Sequence, residues 1–360
     1  MILFRYRWFK VSNITKYRIR SVLFIALLWT FVDWVTVLLK NQEIANGMQR
    51  EQSLWMRELL MFGLSIIMAY LFVYRLKQLL RHSPLWLNFI LKSAILLGSA
   101  LIISFIIQFV SFTLVSGMTP EAALEKILAY ALHRSWLLQK VVYWVTIFFV
   151  TQLFLLINER YSPGVFLDIF LGKYTKPKIE KRIIMFMDLK DSTPIAEKLG
   201  HQLYFKFIRD FIYQISAAII EYEGRIYQYV GDEAVSSWLF DKKNTRKCMD
   251  AVILARRNIQ KRSEHFRREY GIVPEFRVGI HLGDVTVGEI GVVKKDIAMT
   301  GDTMNTTARI RSATNDLNHN FIVSKQFMEN IQLEEWQTEN LGPVDLKGKG
   351  TEVELFSLKI

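Results

Sequence analysis

The chain has 360 residues, 51% of them hydrophobic, and carries 46 basic against 34 acidic side chains for a net charge of +12. That length allows two or more domains, and so apolar a chain with so much charge is not one uniform soluble domain; apolar and charged parts must be segregated. Cys248 is the only cysteine, which excludes an intrachain disulfide and a Cys-rich zinc site, and the six histidines show no zinc spacing.

In chain order, the first half is predicted to be a membrane domain, residues 1–157. Four apolar runs, 21–39, 59–73, 93–115 and 141–157, approach the roughly 20 residues a bilayer crossing needs. The first run lacks a small-residue cleavage site and is followed by further runs, so it is not a removed signal peptide. Arg5, Arg7, Lys10, Lys16, Arg18 and Arg20 precede it, and Arg75, Lys77 and Arg81 lie between the second and third runs without an acid. The positive-inside rule then puts the N-terminus in the cytoplasm, and four spans return the second half there. The expected location is a cell (inner) membrane, multi-pass. Trp34, Trp86, Trp136 and Trp144 fall near span ends, as interfacial anchors do. Asp33 falls inside the first span and is read as an interhelical polar contact, with Gln108 or Gln152 as partner. No inverted repeat or broken helix pair points to a transporter. Much of the basic charge is juxtamembrane, where the lipid bilayer is its partner, so nucleic acid is not an expected ligand.

Residues 158–180 read as a connector containing Ser-Pro-Gly, with Lys173, Lys176, Lys178, Lys181 and Arg182 expected to stay near the membrane face. A globular domain, 181–360, begins with the buried-strand run 183–187, which ends at Asp188. Asp191, Ser192 and Thr193 offer N-cap chemistry, and Pro194 suits the first helical position. Ile208, Ile212, Ile215 and Ile219 recur at helical spacing. The segment GRIYQYVGDEAVSSW, 224–238, reads as a hairpin with a tight turn at Gly231-Asp232, and Glu233 reads as a solvated neighbour. A second helix shows Cys248, Val252, Ala255 and Ile259 on one face. In FRVGIHLGDVTVGEIG, read as a strand pair, Phe276, Val278, Ile280 and Leu282 share one face, with Arg277 and His281 on the other. The helix TMNTTARIRSA follows Gly301-Asp302, and strands close the chain around LKGKGTEVELFSL. The order predicts an α+β, ferredoxin-like domain with helices against a mostly antiparallel sheet.

Asp188 closes the first strand and Asp232 sits at the hairpin tip, so a ferredoxin-like sheet sets them on adjacent strands. Two neighbouring carboxylates repel unless cations lie between them, and hard divalent ions with oxygen ligands, Mg²⁺ or Mn²⁺, fit. Two such ions serve in-line phosphoryl displacement. The helix start at Asp191–Thr193 adds free backbone N–H groups, a natural seat for phosphate at Ser192 and Thr193.

Five motifs now share one order. FMDLKDST, VGDEAVSSW, FRVGIHLGDVTVGEIG, GDTMNTTAR and LKGKG together resemble the catalytic domain of class III nucleotidyl cyclases over about half the chain. The resemblance implies that Asp188 and Asp232, with the carbonyl of Leu189, hold two divalent cations. It implies that Asn305 orients the ribose and Arg309 stabilises charge on the α-phosphate, and that Lys347 and Arg277 neutralise the terminal phosphates. It also implies a homodimer in which each site takes its aspartates from one subunit and its Asn/Arg helix from the other, converting ATP to 3′,5′-cyclic AMP and pyrophosphate. At the two base-reading positions this chain departs from the family, with Gln228 in place of a usual Lys and Ala298 in place of Asp or Thr. The Glu/Cys pair of guanylate-forming members is absent too. ATP is therefore the expected substrate, with a guanylate or base-promiscuous cyclase as the alternative. A catalytically silent membrane sensor with a nucleotide-binding cyclase-like domain would have lost a metal aspartate or the Asn/Arg pair, and neither is lost. A cyclic-dinucleotide synthase would expect a different turn from Val-Gly-Asp-Glu-Ala.

Overall fold

The computed structural model describes residues 12–41, 49–76, 84–131, 134–160, 165–293, 295–331, 337–346, 349–350 and 352–359. The chain divides into two compact units, Thr15–Arg160 and Tyr161–Ile360, the latter grouped with Met1–Ile14.

Among the described residues the first unit is built from helices. It contains α1 (Asn13–Asn41), α2 (Gln49–Tyr70), α3 (Leu85–Val110), α4 (Pro120–Ala131) and α5 (Arg134–Arg160). Both α2 and α3 run on into a π-helical turn, Leu71–Leu76 and Ser111–Val115. Among the described residues three stretches are long and apolar enough to cross a membrane, Asn13–Thr36, Glu58–Arg75 and Trp86–Leu114. The fourth expected run, Val141–Ile157, lies inside the 27-residue helix α5 but is itself a shorter apolar segment. Trp144 is not an interfacial anchor. It is 4% exposed, meets Trp29 edge-on and donates its Nε1–H to Ser104 at 3.3 Å. Trp29 donates likewise to Thr151 at 2.9 Å. A buried indole needs such a partner, and hydroxyls on facing helices supply it. Trp34 and Trp86 are exposed, as anchors would be. Asp33 and Gln152 are both buried within this unit.

The second unit is a sheet with helices. It runs α6 (Val165–Phe170), β1 (Lys178–Leu189), α7 (Ser192–Glu221), β2 (Arg225–Val230), β3 (Glu233–Leu239), α8 (Lys242–Lys261), α9 (Ser263–Tyr270), β4 (Phe276–Ile290), β5 (Asp296–Thr300), α10 (Asp302–Asp316), β6 (Phe321–Ser324), α11 (Lys325–Met328), β7 (Gln337–Val344) and β8 (Val353–Lys359). The strand order is β2-β3-β1-β4-β6-β8-β7, with β5 on β4. All pairings are antiparallel except β4 with β6. The first four strands thus have the βαββαβ order of a ferredoxin-like sheet, as the sequence predicts.

Period-two alternation sorts the two faces of β1. Ile183, Met185, Met187 and Leu189 join the core under α7 and α8, where Phe207, Phe211, Ile215, Met249 and Val252 pack. Ile184 and Phe186 face the other way, with Val235, Val285 and Val287 and the Met304 and Ala308 side of α10. Asp188 is next on that second face. Phe276, Val278, Ile280 and Leu282 of β4 join the α7/α8 core, as their alternation predicts. Cys248 is fully buried there, and burial pushes its thiol pKa up.

The structure differs from expectation at three places. β1 starts at Lys178, inside the expected connector, because Tyr174, 3% exposed, docks on the β1/β4 face and carries the chain into the sheet. Arg182 is not on a membrane face. It is 2% exposed and pairs with Glu180 at 2.6 Å, with Ser237 as a further partner. The expected strand pair is one strand of 15 residues, continuous through Gly283-Asp284, because β1 pairs with it from Phe276 to Val287, across that point.

Candidate active site

The hairpin turn builds the site. Val230 pairs with Glu233, leaving Gly231 and Asp232 as a two-residue loop. Gly231 has φ 62, and Asp232 is not among the positive-φ residues, which is the pattern a type II′ turn needs. β3 then lies beside β1 with Glu233, not Asp232, directly opposite Asp188, and Arg277 of β4 opposite Asp188 on the other side. Asp232 stands one residue further out, at the tip. Asp188, Asp232 and Glu233 therefore gather at one end of the central strands.

The electrostatics follow. Asp188 is pushed up to about 6, chiefly by burial; Arg311 opposes the shift, and Asp232 and Glu233 reinforce it. Asp232 Oδ2 is buried with no hydrogen-bond partner. A buried carboxylate oxygen without a donor is costly unless something cationic meets it. Glu233 is not the solvated neighbour its place in a turn suggests. It is 7% exposed, its pKa is raised by burial, and its Oε2 lies 2.6 Å from Arg311 Nε. Among the described residues no group of three or more His, Cys, Asp or Glu side chains is arranged to hold a metal. The two aspartates nonetheless suit a hard divalent cation, which takes a few carboxylate oxygens and fills its other positions with carbonyl, phosphate and water. The Leu189 side chain is core, so only its carbonyl is free for such a role.

The start of α7 overhangs this end of the sheet. Asp191 is its N-cap in a left-handed conformation, φ 56, and its side chain does not cap the helix. Instead Asp191 Oδ1 accepts from Arg277 Nη2 at 3.4 Å, while Arg277 Nε stays buried without a partner. Helix numbering from Ser192 makes Pro194 the third helical residue, not the first. Gly200, φ 68 and ψ 166, kinks α7. Beyond the kink, the Tyr204 hydroxyl sits beside Ser192 and both aspartates, and its pKa is raised by burial and then by Asp232. Nothing in the sequence separates Tyr204 from the other aromatics of this helix; only the kink brings it to the carboxylates.

Helix α10 lies across β4, and two glycines make the approach possible. A Cβ on Gly279 would come within 2.5 Å of the Arg311 backbone nitrogen, and one on Gly283 within 2.4 Å of Thr303 Oγ1. Thr303 Oγ1 donates to the Asp284 carbonyl at 2.6 Å, and Lys349 reaches Asp302 at 3.0 Å and Thr306 at 2.6 Å over the first turn. Set so close, α10 delivers Arg311 to Glu233 and to Asp188 Oδ2, the latter at 3.4 Å from Nη1. Asn305 is exposed and Arg309 half-buried, and Arg309 has no ion pair among the described residues. At 100° per residue they lie roughly 120° and 160° around the helix from Arg311, so one chain does not present all three to one carboxylate pair. Gln228 is exposed beside a register shift in β2, and Ala298 is half-buried on β5 opposite Gly288. Ser192 is half-buried and Thr193 exposed at the helix start. Lys347 lies outside the described residues.

A sequence profile of the adenylate and guanylate cyclase catalytic domain matches residues 174–359. The chain belongs to that family. Its cyclase domain is similar to adenylate cyclase 2 of Rhizobium meliloti (strain 1021), 32% identical over 204 residues, a match covering 56% of each chain. It is also similar to an adenylate cyclase of Anabaena cylindrica, 26% identical over 214 residues, covering 56% of this chain and 42% of the other. The chain thus spans about half the length of these relatives. Among solved structures, a bacterial light-regulated adenylyl cyclase shares the fold, with a TM-score of 0.54 at 19% identity over 64% of this chain and 67% of the other.

Proposed function

We propose that this protein is a membrane-bound nucleotidyl cyclase that converts ATP to 3′,5′-cyclic AMP and pyrophosphate as a homodimer. The observation that carries the reading is the Asp188–Asp232 pair at the strand ends, with Asp232 Oδ2 unpartnered and Arg277 across the strand. The family and its relatives named adenylate cyclases supply the reaction class. Asp188, Asp232 and the Leu189 carbonyl would hold two divalent cations, Mg²⁺ or Mn²⁺, whose chemistry when bound is to lower the pKa of the ribose 3′-hydroxyl and steady the leaving phosphates.

The chain's own residues do the rest. Arg277, with a free Nε–H, and the backbone at Ser192 and Thr193 seat the terminal phosphates, together with Lys347. Asn305 and Arg309 of the other subunit orient the ribose and meet the charge that builds on the α-phosphate. The turn of the helix supports this division, since Arg311 faces its own chain's carboxylates and Arg309 faces away. Gln228 offers both a donor and an acceptor to the base and Ala298 neither, so base selection rests on Gln228.

The membrane domain, 1–157, belongs to the same reading. Val141–Ile157 would rise about 26 Å as helix and complete a fourth span, which returns the cyclase domain to the cytoplasmic side where the basic segments lie. The connector then joins α5 to the sheet.

The test is the purified full chain in lipid nanodiscs with Mn²⁺ and either ATP or GTP, products identified by mass. Cyclic AMP is expected, and Asp232→Ala is expected to lower the rate by about a thousandfold or more while the fold persists. No cyclic product from either nucleotide would remove the reading.

A pH dependence follows from Asp188. Its pKa, raised by burial to about 6, lies above the ordinary 3.8, so a proton holds the ligand position below about pH 6 and leaves it above. Mn²⁺ affinity is expected to climb by up to about tenfold per unit from pH 4 to 6 and to level off above. Mn²⁺ electron paramagnetic resonance titrations without nucleotide measure this; an affinity flat from pH 4 to 6 would contradict the assignment.

A further inference from the structure

We propose that Arg311 is a resident counter-ion of the carboxylate cluster that competes with the divalent cation at Asp188 and keeps Glu233 out of the metal site. This rests on the cyclase reading of Asp188 and Asp232.

The geometry carries it. Three carboxylates, Asp188, Asp232 and Glu233, share one end of the sheet. Arg311 is the cation that touches two of them, at 2.6 Å from Glu233 and 3.4 Å from Asp188. Glu233 lies directly across the strand pair from Asp188, a position from which it would reach the same cation. Paired to Arg311, it is instead directed into the α10 interface. The contact is built into the backbone, since Gly279 lets the α10 chain approach at Arg311 itself, closer than any residue with a Cβ would allow. The Arg311 side chain is 26% exposed, with its Nε buried on the Glu233 side. Asp232 Oδ2 is buried with no hydrogen-bond partner.

Two consequences follow. With Asp188 engaged by a divalent cation, Arg311 would keep Glu233 as its ion-pair partner. Metal loading of one chain is thereby tied to the helix that carries Asn305 and Arg309. The resident positive charge also lowers the affinity for a free cation, so that one arriving with nucleotide phosphates binds better.

The experiment measures Mn²⁺ binding to the full chain in nanodiscs, without nucleotide, by electron paramagnetic resonance. Arg311→Met is expected to bind Mn²⁺ about tenfold more tightly than wild type, as loss of a unit charge a few ångströms from the ion predicts in a half-exposed site. Arg311→Lys, which keeps the charge, is expected to stay within about threefold of wild type. A purely structural Arg311 would instead lower thermal stability and leave Mn²⁺ affinity unchanged, and a folded Arg311→Met with unchanged or weaker affinity overturns the proposal. Should Arg311→Met not fold, phenylglyoxal labelling of wild type decides: Mn²⁺ is expected to speed modification of Arg311 relative to Arg309, and equal or slower labelling overturns it. Absence of Mn²⁺ binding in wild type and Arg311→Met alike would remove the cyclase reading itself, whereas binding in wild type with no gain in the variant removes only this inference.

Discussion

Two inactive variants are expected to restore one another when mixed. Asp232→Ala removes a carboxylate from the chain's own strand ends, and Arg309→Ala removes the guanidinium that α10 turns away from them. In a homodimer with two composite sites, either variant alone breaks both. A mixed dimer concentrates both defects in one site and leaves the other with wild-type Asp232 from one chain and wild-type Arg309 from the other. Equal co-expression gives about half mixed dimers, each with one of two sites intact, so roughly a quarter of wild-type cyclase activity is expected back. Each single variant is expected to fall by about a thousandfold, so the recovery is large against its background. Activity that stayed at the single-variant level would place aspartates and Arg309 in one chain's site, against the roughly 160° that separates Arg309 from Arg311 on the helix. The measurement is cyclic AMP per milligram in membranes with matched expression of differently tagged chains.

Much of this site is legible in the sequence because its parts are local. A buried run ending in Asp188 and a Gly-Asp turn each declare themselves, and the turn length then dictates the pairing of Val230 with Glu233. The helix periodicities behave the same way: Val252, Ala255 and Ile259 are buried on one face of α8 as their spacing predicts. The register of β1 on β3, which puts Glu233 rather than Asp232 opposite Asp188, is not set by that turn, because β1 is not part of the hairpin. What is not legible depends on contacts between distant segments. Glu233 looks solvated because a turn residue usually is; it is buried because α10, some 80 positions later, supplies Arg311. Arg182 reads as one more cation in a basic run, yet Glu180 and Ser237 hold it inside the sheet. Trp144 reads as an anchor by its place near a span end, but Ser104 on another helix gives its indole an interior partner.

Gly279→Ala is expected to cost both stability and activity. The new Cβ would lie 2.5 Å from the Arg311 nitrogen, 2.8 Å from its Cα and 2.9 Å from its Cβ. These are backbone and first side-chain atoms, so no rotamer change relieves the overlap, and helix and strand must separate by about an ångström to reach ordinary contact. The helix is not free to move as a body. Thr303 is fastened to the Asp284 carbonyl, and Lys349 to Asp302 and Thr306, so the first turn stays while the Arg311 end lifts. A tilt of that kind stretches the Arg311 contacts to Glu233 and Asp188 and re-aims Asn305 and Arg309 together. Overpacking of this size costs about 1–3 kcal/mol, and an ångström of misplacement in a reacting constellation costs about a hundredfold in rate. Thermal unfolding and cyclic AMP formation measure the two effects separately. Gly288→Ala is the control on the same strand, because its Cβ would meet Pro177 no closer than 3.3 Å, and it is expected to lose less than about 1 kcal/mol. A Gly279→Ala protein with wild-type rate and melting temperature would mean that α10 does not rest on β4 at Arg311, and the placement of Arg311 among the carboxylates would fall with it.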